Sequence, residues 1–290
     1  MNNKTKIISL PLAIFSASVF SADVNVSRVT DSESVATTLL NDTVDRIVDS
    51  YGQAYIDIVS PANFKKSDVE RGVQRVGSKS IARFEYHYTM PNGERATRIY
   101  HSFSGETPTP GLQGHNVDFT QKIEAEMRVN ERLVTGKITE EEYHSGGRYF
   151  RASSYARAND AEIKAMRKIE KDILSGDLES GGSLTVFVNQ LPCESCTPLF
   201  EEQLAAWPHI TTADVSYLGQ IPENFNDLEN NSWYQYMSEN DGLALGEEAQ
   251  LQVSFTAHRK ERIKFNLFKK RVLSRNEIRN GAKPTSACSL

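Results

Sequence analysis

Cysteine is scarce. The 290 residues contain three, Cys193, Cys196 and Cys288, too few for a scaffold built on disulfides. With 17 Gly and 10 Pro the chain is also not dominated by linkers or fibrous repeats. Beyond residue 22 no stretch approaches the roughly 20 consecutive apolar residues of a membrane-spanning helix. A P-loop, G-x-G-x-x-G, H-E-x-x-H and G-x-S-x-G are all missing, which removes the commonest nucleotide, zinc-protease and serine-hydrolase signatures. Internal repeats and long low-complexity segments are missing too. What is there, 39% hydrophobic and 24% charged side chains, is the composition of an enzyme-sized globular chain with one large or two small cores.

The formal charge of −5 conceals an asymmetry. Residues 258–290 carry ten Lys/Arg, Arg259, Arg262, Lys269, Lys270 and Arg271 among them, against Glu261 and Glu277; the remainder holds 23 Lys/Arg against 36 Asp/Glu. Such a basic end can bind a polyanion, a membrane surface or the acidic body of its own chain. The opposite end begins MNNKTK and continues with the apolar run Ile7 to Phe20, then small residues around Ser21 and Ala22. A basic start, an apolar stretch and small residues at its end are the pattern of a secretory signal peptide, residues 1–22. The mature chain is therefore expected to be secreted or periplasmic, without a transmembrane segment.

Apolar positions Val35, Leu39, Val44, Ile47, Val48, Tyr51 and Tyr55 recur at helical spacing, so residues 23–75 read as an N-terminal helical segment. Phe84, Tyr86 and Tyr88, the turn Asn92-Gly93, then Ile99, His101 and Phe103 read as a β-hairpin. Two short helices are expected over 118–133 and 139–144. A helix over Ala158 to Leu174 and a strand Leu184 to Val188 follow. Next come Pro192-Cys193-Glu194-Ser195-Cys196, a helix Thr197 to Trp207 and a strand Thr212 to Leu218. Alternating strands and helices predict an α/β fold, a sheet covered by helices. Leu251, Val253, Phe255 and then Ile263, Phe265, Leu267 alternate as two late strands.

A C-x-x-C can be a disulfide, a redox dithiol or half a zinc site. Here both cysteines fall at the start of a helix after a buried strand, where free N–H groups and the helix dipole favour thiolate. Two thiolates one turn apart can share a metal, and a catalytic zinc needs a third protein ligand plus an open position. The preceding helix offers Asn159-Asp160-Ala161-Glu162, with Glu162 lying 31 residues before Cys193. Glu162 shares a stripe with Met166 and Ile169, and burial there would raise its pKa. Asp160 is about 200° from Glu162 on an ideal helix. The two converge on one point only if Asp160 lies at the non-helical N-terminus. The competing reading makes Asn159 an N-cap and Glu162 its partner in a capping box.

The D-A-E triplet followed by P-C-x-x-C resembles the zinc-dependent cytidine deaminase-like superfamily, whose signature is H-x-E and P-C-x-x-C. The closer likeness is to the deaminase domains of secreted bacterial toxins, with Asp in the place of His. The resemblance implies a three-layer deaminase-like fold with a mixed sheet of about five strands flanked by helices, over residues 76–257, with its core at 149–220 and the basic segment 258–290 beyond. It implies Zn2+ held by Asp160, Cys193 and Cys196, and Glu162 as the catalytic proton shuttle. The implied partners are a nucleic acid or nucleotide substrate, with cytosine the first choice of base, and an immunity protein. His144 and His209 are alternative ligands or pocket residues, and Tyr149, Phe150 and Tyr155 are candidates for stacking on a base. Two other functions stay open on the same residues: an exported thiol-disulfide oxidoreductase using the C-x-x-C, and a non-enzymatic exported protein with a structural disulfide.

Overall fold

A computed structural model describes residues 21–29, 35–58, 66–77, 79–108, 116–145, 149–190, 196, 198–219, 251–252 and 254–263. The hairpin is its centre. Strands β2 (Ile81–Thr89) and β3 (Arg95–Phe103) pair antiparallel from Ile81↔Phe103 to Thr89↔Arg95. Gly93 closes the turn with φ +85°, a conformation that glycine adopts without steric cost. Strand β5 (Gly182–Val188) adds antiparallel to β2, and β6 (Ile210–Tyr217) adds parallel to β5. Two further strands lie at the edges. β1 (Asp23–Arg28) pairs parallel with β6, and β4 (Glu131–Val134) pairs parallel with β3. The result is a mixed six-stranded sheet in the order β1-β6-β5-β2-β3-β4.

Side-chain alternation gives this sheet two buried faces. Ala82, Phe84, Tyr86, Leu184, Val186 and Val188 pack on one side, against Met166, Ile169, Phe200 and Trp207. These come from helix α5 (Ala161–Leu174) and the helical turns Leu199–Leu204 with the residues just after them. Ile81, Phe103, Leu133 and Phe187 face the other side. There helix α1 (Val35–Ile58) lays down Leu40, Val44, Ile47, Val48, Tyr51 and Tyr55, with α2 (Lys66–Gly77) and α3 (Asn116–Ala125) beside it. Helices on both faces make a three-layer α/β arrangement. The short helix α4 (Glu140–Ser145) buries no residue.

Three expectations need correction. The helix expected over 118–133 ends at Ala125, and 131–134 is strand β4, because Glu131 is buried among Arg46 and Arg128 rather than solvated. The segment 23–75 is not helical throughout, since it opens with edge strand β1. Residues 251–252 and 254–263 are helical, here α6, where two strands were expected. Leu251 and Phe255, four residues apart, share a buried face of that helix. The remainder of the second expected strand, including Phe265 and Leu267, lies outside the described residues.

Helix α6 also accounts for part of the basic segment. Arg262 Nε reaches Asp45 Oδ1 of α1 at 2.5 Å, and His258 Nε2 reaches the same oxygen at 3.1 Å. Arg259 donates to the carbonyl of Gly77 at the end of α2. These cations are spent on the chain's own acidic helix and helix terminus. Lys269, Lys270 and Arg271 lie outside the described residues. No described helix is long and apolar enough to cross a membrane.

Candidate active site

Residues 155–159 form one 3-10 turn, and α5 begins after it. Asp160 is the N-cap of α5, extended at φ −64° and ψ 146°, and its carboxylate caps none of the helix N–H groups. Its backbone instead does the local work: its N–H donates to Arg157 O, and its carbonyl accepts from Lys164 N at 3.1 Å. The carboxylate lies near Cys196 and Arg157. Asn159 belongs to the preceding turn and accepts from Ile138 N through Oδ1. It is not the N-cap, so the Asn159–Glu162 capping box does not form.

Three sequence-predicted residues converge here. Cys196 Sγ lies 4.0 Å from Asp160 Oδ2, across 36 residues of sequence. Glu162, in the first turn of the helix, is 6% exposed. All three line an open-sided cavity of about 70 Å3, with Ser80, Ser104, Arg157, Ala161 and Gln190 completing the wall. On the scale on which one water takes about 10–15 Å3, that holds several waters. The cavity sits beyond the carboxyl end of β5, the place where open α/β sheets bind ligands. Cys193 lies outside the described residues.

The cavity wall is assembled by sheet-end hydrogen bonds. Ser80 precedes β2 and Ser104 follows β3. Ser80 Oγ donates to Gln190 Oε1 at 2.7 Å, and Ser80 N–H donates to Ser104 Oγ at 3.2 Å. Ser102 Oγ donates to Ala161 O at 2.7 Å, tying β3 to the start of α5. Lys164, almost wholly buried, donates to the carbonyls of Phe103 and Gly105 at 3.0 and 2.9 Å. Burial first, and then the neighbouring Lys79 charge, push its ammonium down to about 7. The helix start that carries Asp160 and Glu162 is therefore pinned to the end of β3 from two sides.

Burial is also the main influence on Glu162, pushing its carboxyl up to about 7. The nearby Asp160 charge acts in the same direction, while a bond from its own backbone N–H and the Arg157 charge oppose it. A carboxyl held there exists in both protonation states near neutral pH, which is what a general acid and base requires.

Zinc, which the sequence resemblance implies, can be tested against these donors. A sulfur at about 2.3 Å and an oxygen at about 2.1 Å from one tetrahedral ion lie about 3.6 Å apart. The 4.0 Å between Asp160 Oδ2 and Cys196 Sγ is close to that separation, and both side chains are accepted zinc donors, so the residues present fit the ion. Among the described residues no group of three or more His, Cys, Asp or Glu is placed to hold a metal. The third donor that the resemblance implies, Cys193, lies outside the described residues.

Other candidates stand elsewhere. His144 is exposed on α4, 3.9 Å from Glu140, and His209 binds Ser180 through Nδ1 and packs against Trp207 and Tyr149. Phe150 is buried against Trp207, and Tyr155 packs on Tyr143. Among the described residues lining the cavity none of these five appears. Conversely, Ser80, Ser104, Gln190 and Arg157 carried no sequence signal beyond a place next to a predicted element. None of the known protein families, curated proteins or solved structures compared with this chain matches it.

Proposed function

We propose that the chain is a secreted zinc-dependent deaminase of the toxin type, hydrolysing the exocyclic amine of a nucleobase, cytosine first, in a nucleotide or nucleic acid. The observation that carries this reading is the meeting of Asp160, Cys196 and a buried Glu162 at one cavity. The element order supports it: helix α1, hairpin β2–β3, acid-bearing helix α5, strand β5, cysteine segment and strand β6 follow one another as in the family that the motif resembles.

Asp160, Cys196 and Cys193 would hold the ion. When bound, it would supply Lewis-acid polarisation of water near neutral pH. Glu162 would pass two protons in turn: the first from the attacking water to the ring nitrogen, the second from the hydroxyl of the resulting tetrahedral adduct to the amine, which leaves as ammonia as the new carbonyl forms. Ser80, Ser104 and Gln190 offer hydroxyl and amide groups that can orient the edge of a base. An immunity protein would be the partner expected of a toxin.

The direct experiment incubates the reduced, zinc-loaded mature protein with cytidine, 5′-CMP and single-stranded DNA and RNA, and measures ammonia. Release from at least one of them supports the reading. No release from any base, with zinc bound, overturns it.

Asp160 gives a separate expectation. Asp160→Ala should weaken zinc binding by at least about tenfold, and Asp160→His should restore it, because imidazole is an equally accepted zinc donor. Competition titration against a chelator reads both. Equal affinity in wild type and both variants would place the ligand elsewhere.

A further inference from the structure

The charge at the cavity is unevenly placed. Glu162 and Asp160 make its floor acidic, Ser80, Ser104 and Gln190 are neutral, and Arg157 is the one cation among the described lining residues. Arg157 stands on the 3-10 turn before α5, and its Nη1 lies 3.7 Å from Asp160 Oδ2, beyond hydrogen-bond distance. Its side chain is 53% exposed. An ion pair that loose and that exposed holds its partners weakly. Arg83 makes the contrast: buried, and held by Asp42 at 2.7 Å and Glu85 at 2.6 Å, it has no freedom to serve anything else.

An acidic floor repels any anion that enters it, so an anionic ligand can fit only with its neutral end inward and its charge at the mouth. A guanidinium at that mouth presents a planar fork of donors that matches phosphate oxygens. Arg259 and Arg262 of α6 are engaged on α2 and α1, away from this cavity. Resting on the deaminase reading, we infer that Arg157 reads the phosphate of the substrate at the cavity mouth, so that the site selects phosphorylated pyrimidine nucleotides over free nucleosides. Arg157 is thus a specificity residue, outside the proton-transfer machinery.

The test measures equilibrium binding rather than turnover. Zinc-loaded protein carrying Glu162→Gln, so that nothing is consumed, is titrated calorimetrically with cytidine, 5′-CMP and a short cytosine-containing single strand, at two salt concentrations. The nucleotide should bind at least about tenfold more tightly than cytidine, the gain of a charge-assisted fork. Adding Arg157→Ala should bring the two ligands within about twofold of each other, with cytidine binding and melting temperature unchanged, and Arg157→Lys should keep part of the preference. Equal retention for 5′-CMP and the single strand assigns the phosphate to a monoester or a diester alike; a preference confined to one names the source. If cytidine is deaminated by the parent protein but Arg157→Ala leaves the nucleotide preference intact, this inference falls while the deaminase reading stands. If no nucleoside or nucleotide binds, the deaminase reading falls and this one with it.

Discussion

Glu162→Gln should reduce deaminase activity by about 10²–10⁴-fold, the usual contribution of a positioned general acid and base, and should not lower the stability of the fold. The two halves of this expectation come from one structural fact. Glu162 is buried at the start of α5, and its charged form is the one that burial disfavours. The amide keeps the shape and hydrogen-bonding reach of the side chain but carries no proton to transfer. It also removes the cost of a buried carboxylate above neutral pH, so the melting temperature at pH 8 should be equal or higher. A purely structural Glu162 predicts the reverse, a stability loss of about 1 kcal/mol of the sort seen when a helix cap is removed, with catalysis intact. Parallel ammonia-release assays and thermal melts separate the two.

The second large effect lies on the opposite face of the sheet. His101 of β3 is fully buried, opposite Arg83 in register, with Nδ1 on Thr43 Oγ1 at 3.0 Å and Nε2 without a hydrogen-bond partner among the described residues. Burial, reinforced by the Arg83 charge and opposed by Asp42, pushes its imidazole down to about 3. The unfolded chain therefore takes up this proton first, near pH 6.5, and stability falls as pH drops from there toward 3. At about 1.4 kcal/mol per pH unit, one such group removes roughly 4–5 kcal/mol over that window, a large part of the 5–15 kcal/mol typical of a folded domain. Glu162 works in the other direction, because its raised carboxyl favours the folded state as pH falls from about 7 to 4.5. The effect of His101 is thus read as a difference. Urea unfolding of wild type and His101→Gln at pH 7, 5.5 and 4.5 should show a steeper acid loss in wild type. Parallel pH slopes would mean that His101 is protonated in the folded state.

How much of this could be read in advance depends on whether the signal was local. The hairpin was legible because Phe84, Tyr86 and Tyr88 alternate and Asn92-Gly93 supplies the turn. α5 was legible because Met166, Ile169 and Ile173 keep helical period. β4 was not, since Glu131 and Arg132 resemble a solvated helix until Arg46 arrives from α1 and joins the neighbouring Arg128 in neutralising the buried Glu131. β1 was hidden beside the signal-like apolar run, and its partner β6 lies nearly two hundred residues later. Leu251, Val253 and Phe255 fit a period of two, yet Leu251 and Phe255 also fit a helix, and the basic partners of Asp45 and Asp49 decide between them. At the site, Asp160, Glu162 and Cys196 carry recognisable chemistry in short motifs. Ser80, Ser104, Gln190 and Arg157 reach the cavity because the ends of β2, β3 and β5 and the turn before α5 meet there, which only the topology determines.

The central claim is that Asp160, Cys193 and Cys196 form one zinc site beside Glu162. The most direct measurement is the metal content of the mature protein, purified under reducing conditions, alongside Cys193→Ser and Cys196→Ser. One zinc per chain in the wild type, lost in each variant while the folded sheet persists by circular dichroism, is the result expected. A reduced, folded wild type that takes up no zinc, or binds it equally well without either thiol, would contradict the assignment and return the C-x-x-C to a redox pair or a structural disulfide.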